Sequence, residues 1–475
     1  MALLFFSTKV GKVVALVVGL GAVALGAFGS YQAGILTSGF YQDAVVEDDS
    51  EHVTTDSASR EVPPERLAPL RVPTCSIAEA VSEPELGQFF GIVVDPSSGE
   101  VMFDRSKDSL ISPASVQKLL TAAAALISLG PDATFETSTW LSRESASLFL
   151  KAGGDLTLGG ADSAEESVYI GAAKLQALVD QTILGLELAG SDTDFVVSSI
   201  VVDQSIWDHE DNWREAWDDS ARSKGYISRV TALQIDGDRF DPSRKMGRRS
   251  DDPVSRAVKA FTSALGQEDK GLRNLEVSFG SLPMDAERLA AVESRPVDDL
   301  IDYMLKESDN TIAEMLGRHV SIARGLGGSG DSIQEAILGT LEPRIAVDSG
   351  LRIDDSSGLS ELNRLNANFV ADLLSEIYRD QSVLRPLLDS LPISGVDGSL
   401  RDRFTEENSQ AVGRVRAKTG SIAGTRSLAG VVQAADDLDL VFAFFATGEV
   451  DDGARYALEK AVVSLFQCGA NLGNF

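Results

Sequence analysis

Ser115 and Lys118 stand three residues apart in SPASVQK, at the head of the apolar run LLTAAAALISLG. At that spacing on a helix the two side chains share a face, and an amine can reach a hydroxyl. The positive end of the helix disfavours an ammonium, and burial adds to the effect, so Lys118 is expected to be neutral enough to take the serine proton. Alone the pair means little, because a serine and a lysine at this spacing arise by chance about once or twice in a chain this long.

Two further clusters change that. KESDNTIAEML places Ser308, Asp309 and Asn310 where two helical patterns join, PVDDLIDYML before and TIAEMLGRHVSIAR after. A short interhelical loop can aim Ser308 and Asn310 into a cleft, one to relay protons and the other to donate an amide hydrogen bond. Helix capping is the ordinary use of the same residue types. RAKTGSIAG then puts Lys418, Thr419 and Gly420 on an apparent strand edge. An amine and a hydroxyl there suit a carboxylate, and glycine lets a substrate backbone come close. A chance KTG is expected in about one chain in ten of this size. Helix, loop and strand clusters that can converge on one cleft outweigh the bland reading of each.

The elements that must hold them are legible in outline. Ser112 reads as the N-cap of the first helix, Pro113 as its first residue and Gly130 as its end. FFGIVVDPSSGEVMFD reads as a hairpin turning at Pro96, Ser97, Ser98 and Gly99. RVRAKTGSIAG, TRSLAGVVQAA and LDLVFAFFATG read as three strands, and DGARYALEKAVVSLF as a helix, so the chain should begin and end in one sheet. Between them, SLFLKAG and DFVVSSIVVD read as strands and SVYIGAAKLQALVDQ and DPVSRAVKAFTSALG as helices. The expected organisation is a signal or membrane anchor at 1–36, an acidic linker at 37–73, a catalytic domain from 74–139 and 293–475, and an inserted region at 140–292.

Composition narrows the function. With 42 basic and 72 acidic side chains in 475 residues, the formal net charge of -30 repels nucleic acid. Lys9 and Lys12 precede an apolar run from Val13 to Phe28, and VVEDDSE follows it, which points to export with an uncleaved anchor favoured over a cleaved signal. Outside the cytoplasm the two cysteines, Cys75 and Cys468, read as a disulfide, with two buried thiols as the alternative. His52, His209 and His319 are far apart and show no ligand spacing, so a metal site is not expected.

The order SxxK, SxN, KTG belongs to penicillin-binding proteins and class A β-lactamases. The sequence resembles the low-molecular-mass class C penicillin-binding proteins, the D-alanyl-D-alanine carboxypeptidase/endopeptidase family, over about 86 to 470. PASVQKLLTAAAAL, LGPDATFET, GGDLTLGG, VTALQIDGD, DSSGLSELNR, LPISGVDGSLRDRF and KTGSIAGTRSLAG follow the family's order, and a long insertion between SxxK and SxN is its mark. The resemblance implies an α+β fold, with a transpeptidase-like antiparallel sheet flanked by helices and interrupted by smaller inserted domains. It implies a serine DD-peptidase that cleaves peptidoglycan stem peptides through an acyl-enzyme in the cell envelope, needs neither metal nor organic cofactor, and is trapped by β-lactams. A non-catalytic peptidoglycan-binding protein on the same fold is the rival reading, and a β-lactamase or esterase the third.

By the same resemblance Ser115 is the nucleophile, Lys118 its base, Ser308 the relay to the leaving group and Asn310 a peptide amide partner. Lys418 and Thr419 take the terminal carboxylate, Gly420 belongs to the binding strand, and the backbone N–H groups of Ser115 and Ser421 form an oxyanion hole. Two departures stand out. Glu361 follows SGLS where family members often carry arginine, which opens the question of side-chain recognition, and GDLTL replaces GDPTL while keeping Asp155 as a contact for a substrate amine. Trp207, Trp213 and Trp217 read as packing residues before they read as a sugar platform.

Overall fold

The computed structural model describes residues 73–160, 166–190 and 195–474. The expected anchor and all but the last residue of the expected linker lie outside the described residues. No described helix is long and apolar enough to cross a membrane.

Among the described residues ten strands follow in chain order: β1 Gln88–Val94, β2 Val101–Arg105, β3 Glu136–Ser142, β4 Ser147–Lys151, β5 Ser199–Asp203, β6 Glu276–Phe279, β7 Glu287–Glu293, β8 Val415–Ile422, β9 Thr425–Gln433 and β10 Asp439–Thr447. The helices of nine residues or more are α1 Lys118–Leu129, α2 Leu175–Gly190, α3 Pro253–Glu268, α4 Val297–Glu307, α5 Asn310–Ala323, α6 Ile333–Leu341, α7 Ala367–Arg379 and α8 Asp452–Cys468.

The first sheet has the order β2-β1-β10-β9-β8 and is antiparallel throughout. Among the described residues the first two and the last three strands thus share one sheet, as the patterning suggests. The β1–β2 hairpin closes through Asp95, whose carboxylate accepts from Ser97 N at 2.8 Å and Ser98 Oγ at 2.7 Å. Strand β10 explains why the sheet is buried on both sides. Its side chains alternate, so Leu440, Phe442, Phe444 and Ala446 enter the core beneath α8, while Val441, Ala443 and Phe445 enter the core that holds α1, α5 and α7. An apolar residue at every position is what a strand between two cores requires. Helix α1 is buried along its whole first part, Lys118 to Leu126, and its alanine run lets neighbouring elements pack close.

The second sheet, β6-β5-β4-β3-β7, is mixed: β4 pairs with β5 and β5 with β6 in parallel, with α2 and α3 as the intervening helices, while β3 pairs antiparallel with β4 and β7. All of its strands come from the stretch between α1 and α4. Parallel pairing here was not legible in the strand patterns, because it depends on crossover connections and not on local alternation.

The structure corrects the reading of two helix starts. The segment before α1 is a 3-10 turn over Ala114–Gln117 with no side-chain cap, and Ser112 Oγ is buried with no hydrogen-bond partner among the described residues. Ser112 is therefore not the N-cap. Ala114 instead takes a left-handed conformation, φ 48°, just before Ser115, so the chain enters the helix through a strained residue that the surroundings must hold. Gly130, φ 86°, does end α1. The helix expected from Ser167 begins only at Leu175, after a turn. Cys75 and Cys468 form a disulfide, Cα to Cα 5.4 Å, which ties the start of the described chain to the end of α8.

Candidate active site

Three elements of different origin meet at Lys118. Its Nζ lies 3.1 Å from Ser115 Oγ, 2.6 Å from Asn310 Oδ1 and 2.6 Å from the Ser357 carbonyl. Those are three acceptors for the three N–H bonds of an ammonium. A neutral amine has only two, and the two short contacts, to Asn310 and Ser357, would use them. The lone pair would then face Ser115 along the longest of the three contacts. Burial pulls Lys118 down to a pKa of about 8, against the opposing pull of the Asp355, Glu314 and Asp309 carboxylates. About a tenth of the amine is then neutral at pH 7, against well under a hundredth for an ordinary lysine.

Lys418 belongs to β8, the edge strand of the first sheet, and its Nζ donates to Ser308 Oγ at 2.9 Å and to the Thr419 carbonyl at 2.8 Å. Burial first and the nearby Lys118 cation second hold Lys418 well below the usual ammonium range. Ser308 is the αL residue that ends α4, φ 57° and ψ 40°, and the abrupt turn it makes is what delivers its hydroxyl to Lys418. Asp309 then caps α5, accepting from Ile312 N at 3.0 Å, so the SDN segment is both a capping motif and a part of the cluster. Asn310 Nδ2 donates to the Tyr226 carbonyl at 3.0 Å. Thr419 Oγ1 donates to Ser399 Oγ at 2.8 Å, and exposed Ser421 accepts from Arg455 at 3.2 Å.

Gly420 has a reason beyond substrate approach. A Cβ there would meet Ser427 Oγ at 2.1 Å and Ala114 Cβ at 3.0 Å. The Ser427 hydroxyl donates to the Pro113 carbonyl at 2.8 Å, so the binding strand packs directly on the turn that carries Ser115. Gly358, φ +80°, makes the matching approach from the other side, where a Cβ would sit 1.9 Å from the Ala114 carbonyl oxygen. Two glycines thereby hold the strained Ala114 in place.

A cleft of about 660 Å³ opens on this cluster, lined by Ser115, Asn310 and Ser421 together with Trp217, Tyr226 and Glu361. Glu361 is exposed at this wall. Asp155 is not among its lining residues; it is 2% exposed, its carboxylate accepts from Thr157 N at 2.8 Å and Thr157 Oγ1 at 2.6 Å, and burial raises its pKa to about 6 against those hydrogen bonds. Trp217 packs edge-on against Trp213 and donates to Asp355 Oδ2 at 2.7 Å, which makes it a structural wall of the cleft. No group of three or more metal-ligating side chains converges among the described residues.

Several contributors carry no motif. Glu314 on α5 is buried, accepts from Ser357 N at 2.8 Å, and is pushed up to a pKa of about 8 by burial and then by Asp355. Arg239, 2% exposed, donates to Asp309 Oδ2 at 2.9 Å, and Tyr169 donates to the same oxygen at 3.1 Å. Burial pushes Asp309 up, but Arg239 and Arg249 outweigh it and hold the carboxylate below its usual range. The arginine amid the carboxylates of IDGDRF is the only local signal, and once buried such a group needs a paired partner.

A two-core α+β unit with a buried lysine beside a helix-borne serine, a second serine–lysine pair and an edge-strand KTG define the class: a serine peptidase of the penicillin-binding type. The sequence profile described as the D-Ala-D-Ala carboxypeptidase 3 (S13) family matches residues 74–246 and 242–467, and the chain belongs to that family. It is 32% identical over 401 residues to a Mycobacterium tuberculosis protein named as a carboxypeptidase, covering 83% of this chain and 84% of that one. It is 33% identical over 400 residues to Carboxypeptidase DacB of Mycolicibacterium smegmatis, with 83% and 84% covered. The fold is similar to that of penicillin binding protein 4 (dacB) from Haemophilus influenzae, with a TM-score of 0.66, 20% identity, and 82% of this chain and 98% of that chain covered.

Proposed function

We propose that this chain is a serine D-Ala-D-Ala carboxypeptidase that works outside the cytoplasm on peptidoglycan stem peptides, with Ser115 as the nucleophile. The observation that carries this reading is the 3.1 Å contact between Lys118 Nζ and Ser115 Oγ at the floor of a cleft. Neutral Lys118 takes the Ser115 proton as Oγ attacks the carbonyl of the penultimate D-alanine. The N–H groups of Ser115 and Ser421 receive the oxyanion, a contribution worth about 3–4 kcal/mol for a preorganised donor. Ser308, hydrogen-bonded to Lys418, passes a proton to the departing D-alanine nitrogen, and Lys418 with Thr419 holds its carboxylate. Water then releases the acyl group from Ser115, with Lys118 as base. Asn310 holds Lys118 in place and orients the peptide amide. Residues 140–292 act as an inserted region that supplies Trp217 and Tyr226 to the cleft, and residues 1–36 hold the enzyme at the membrane.

A fluorescent penicillin tests the reading. It should label the wild type through a stable ester and leave Ser115→Ala unlabelled. Rapid turnover of the drug without an adduct would favour a β-lactamase, and equal labelling of both proteins would remove Ser115 from the chemistry. Mass analysis of digested muropeptides then reports whether terminal D-alanine or a cross-link is cut.

A further inference from the structure

A second cavity, of about 680 Å³, shares no lining residue with the catalytic cleft. It sits where the parallel strands of the second sheet end. Asp203, Gln204 and Ser205 enter it from the carboxyl end of β5, and Phe279, Gly280 and Ser281 from the carboxyl end of β6. The crevice outside the carboxyl ends of parallel strands is where open α/β sheets bind ligands, because the chain leaves each strand there and turns away. Helix α3 also opens onto it.

The lining selects the ligand. At such a strand end and helix start a phosphate would be the ordinary guest, but three carboxylates, Asp203, Asp251 and Asp252, line the cavity against one guanidinium, Arg229, which already donates to Asn212 Oδ1 at 2.7 Å, so the balance of charge disfavours anions. Phe279 is 62% exposed at the wall, and Trp207 forms part of its interior. Around these rings stand carboxylate, amide and hydroxyl groups, from Asp203, Gln204, Asn212 and Thr231. Gln204 Oε1 and the indole N–H of Trp207, itself 3% exposed, have no hydrogen-bond partner among the described residues. The exposed Phe279 face beside these acceptors fits a pyranose, whose C–H face stacks while its hydroxyls donate. We propose that this cavity binds a short uncharged oligosaccharide bearing hydroxyl and acetamido groups.

The position couples the two sites. Asn212 and Thr231 line the cavity, and Trp217 and Tyr226, from the segment between them, line the cleft. If the proposed function holds, one polymer could offer its glycan to the cavity and its peptide to Ser115, and binding at one would raise the local concentration at the other; this coupling alone rests on that reading.

Chitotetraose titrated calorimetrically into the full chain is the test. Binding with a Kd of about 0.1–1 mM is expected, weakened about tenfold by Phe279→Ala or Gln204→Ala through loss of stacking or of an amide contact. Both substitutions should leave hydrolysis of a sugar-free D-Ala-D-Ala peptide unchanged. Phe279 is exposed and Gln204 Oε1 is unpaired, so neither change should disturb folding. No heat up to about 10 mM sugar, or variants that bind like the wild type, overturns the proposal. Failure of the wild type to cleave the peptide counts against the proposed function instead, and leaves the binding result standing.

Discussion

Arg239 Nη2 donates to Asp309 Oδ2 at 2.9 Å, and both side chains are almost wholly buried. This contact joins a loop between β5 and α3 to the turn that carries Ser308 and Asn310. Arg239→Met would leave the Asp309 carboxylate short of a partner, at a cost of about 3–5 kcal/mol in urea unfolding. Asp309→Asn keeps the cap on α5, so the double variant should recover part of that loss. Turnover should fall in Arg239→Met beyond what its unfolded fraction explains, because the turn that positions Ser308 loses its anchor.

The pH profile reports the base. Lys118 must be neutral to accept a proton, and its pKa is lowered to about 8, so kcat/KM should rise through about pH 8 before it levels. The Glu314 carboxylate favours the protonated form of Lys118. Glu314→Gln removes that bias while keeping an acceptor for Ser357 N, so the acid limb should move to lower pH. Lys418 is held well below the usual ammonium range and carries no charge where Lys118 titrates, so Lys418→Met should leave the limb in place while lowering its height. A limb unmoved in Glu314→Gln assigns the profile to another group.

Ser308 combines a left-handed backbone with a hydroxyl in the cluster. Glycine accepts that backbone readily, so Ser308→Gly should unfold within about 1 kcal/mol of the wild type. Loss of the proton relay should nonetheless lower kcat/KM by about 10²–10⁴. Thermal melts beside steady-state rates separate the two effects.

The disulfide spans a sequence separation of 393 residues. Constraining so long a loop in the unfolded chain corresponds to about 6 kcal/mol in the entropic account. Cys75→Ser with Cys468→Ser should lower the denaturation midpoint markedly, and reductant should do so for the wild type and not for the variant. Acylation by penicillin at low temperature should persist in both, since neither cysteine touches the cleft.

What the sequence determined by itself was local. The spacing of Ser115 and Lys118, the glycine end of α1, the β1–β2 hairpin and the two-sided burial of β10 all follow from side-chain periodicity and backbone preference within a few residues. The three motifs were readable for the same reason: each occupies one turn, one loop or one strand. Tertiary structure decided what meets across distance. The Arg239 clamp on Asp309, the Ser357 carbonyl and Glu314 beside Lys118, and Tyr226 in the cleft wall come from chain segments whose own patterns reveal no destination. Such contacts form because a buried charge or carbonyl must find a partner once apolar burial has brought the segments together. The same holds for Ser112, a good cap by type, which the left-handed turn at Ala114 leaves without a helix to cap.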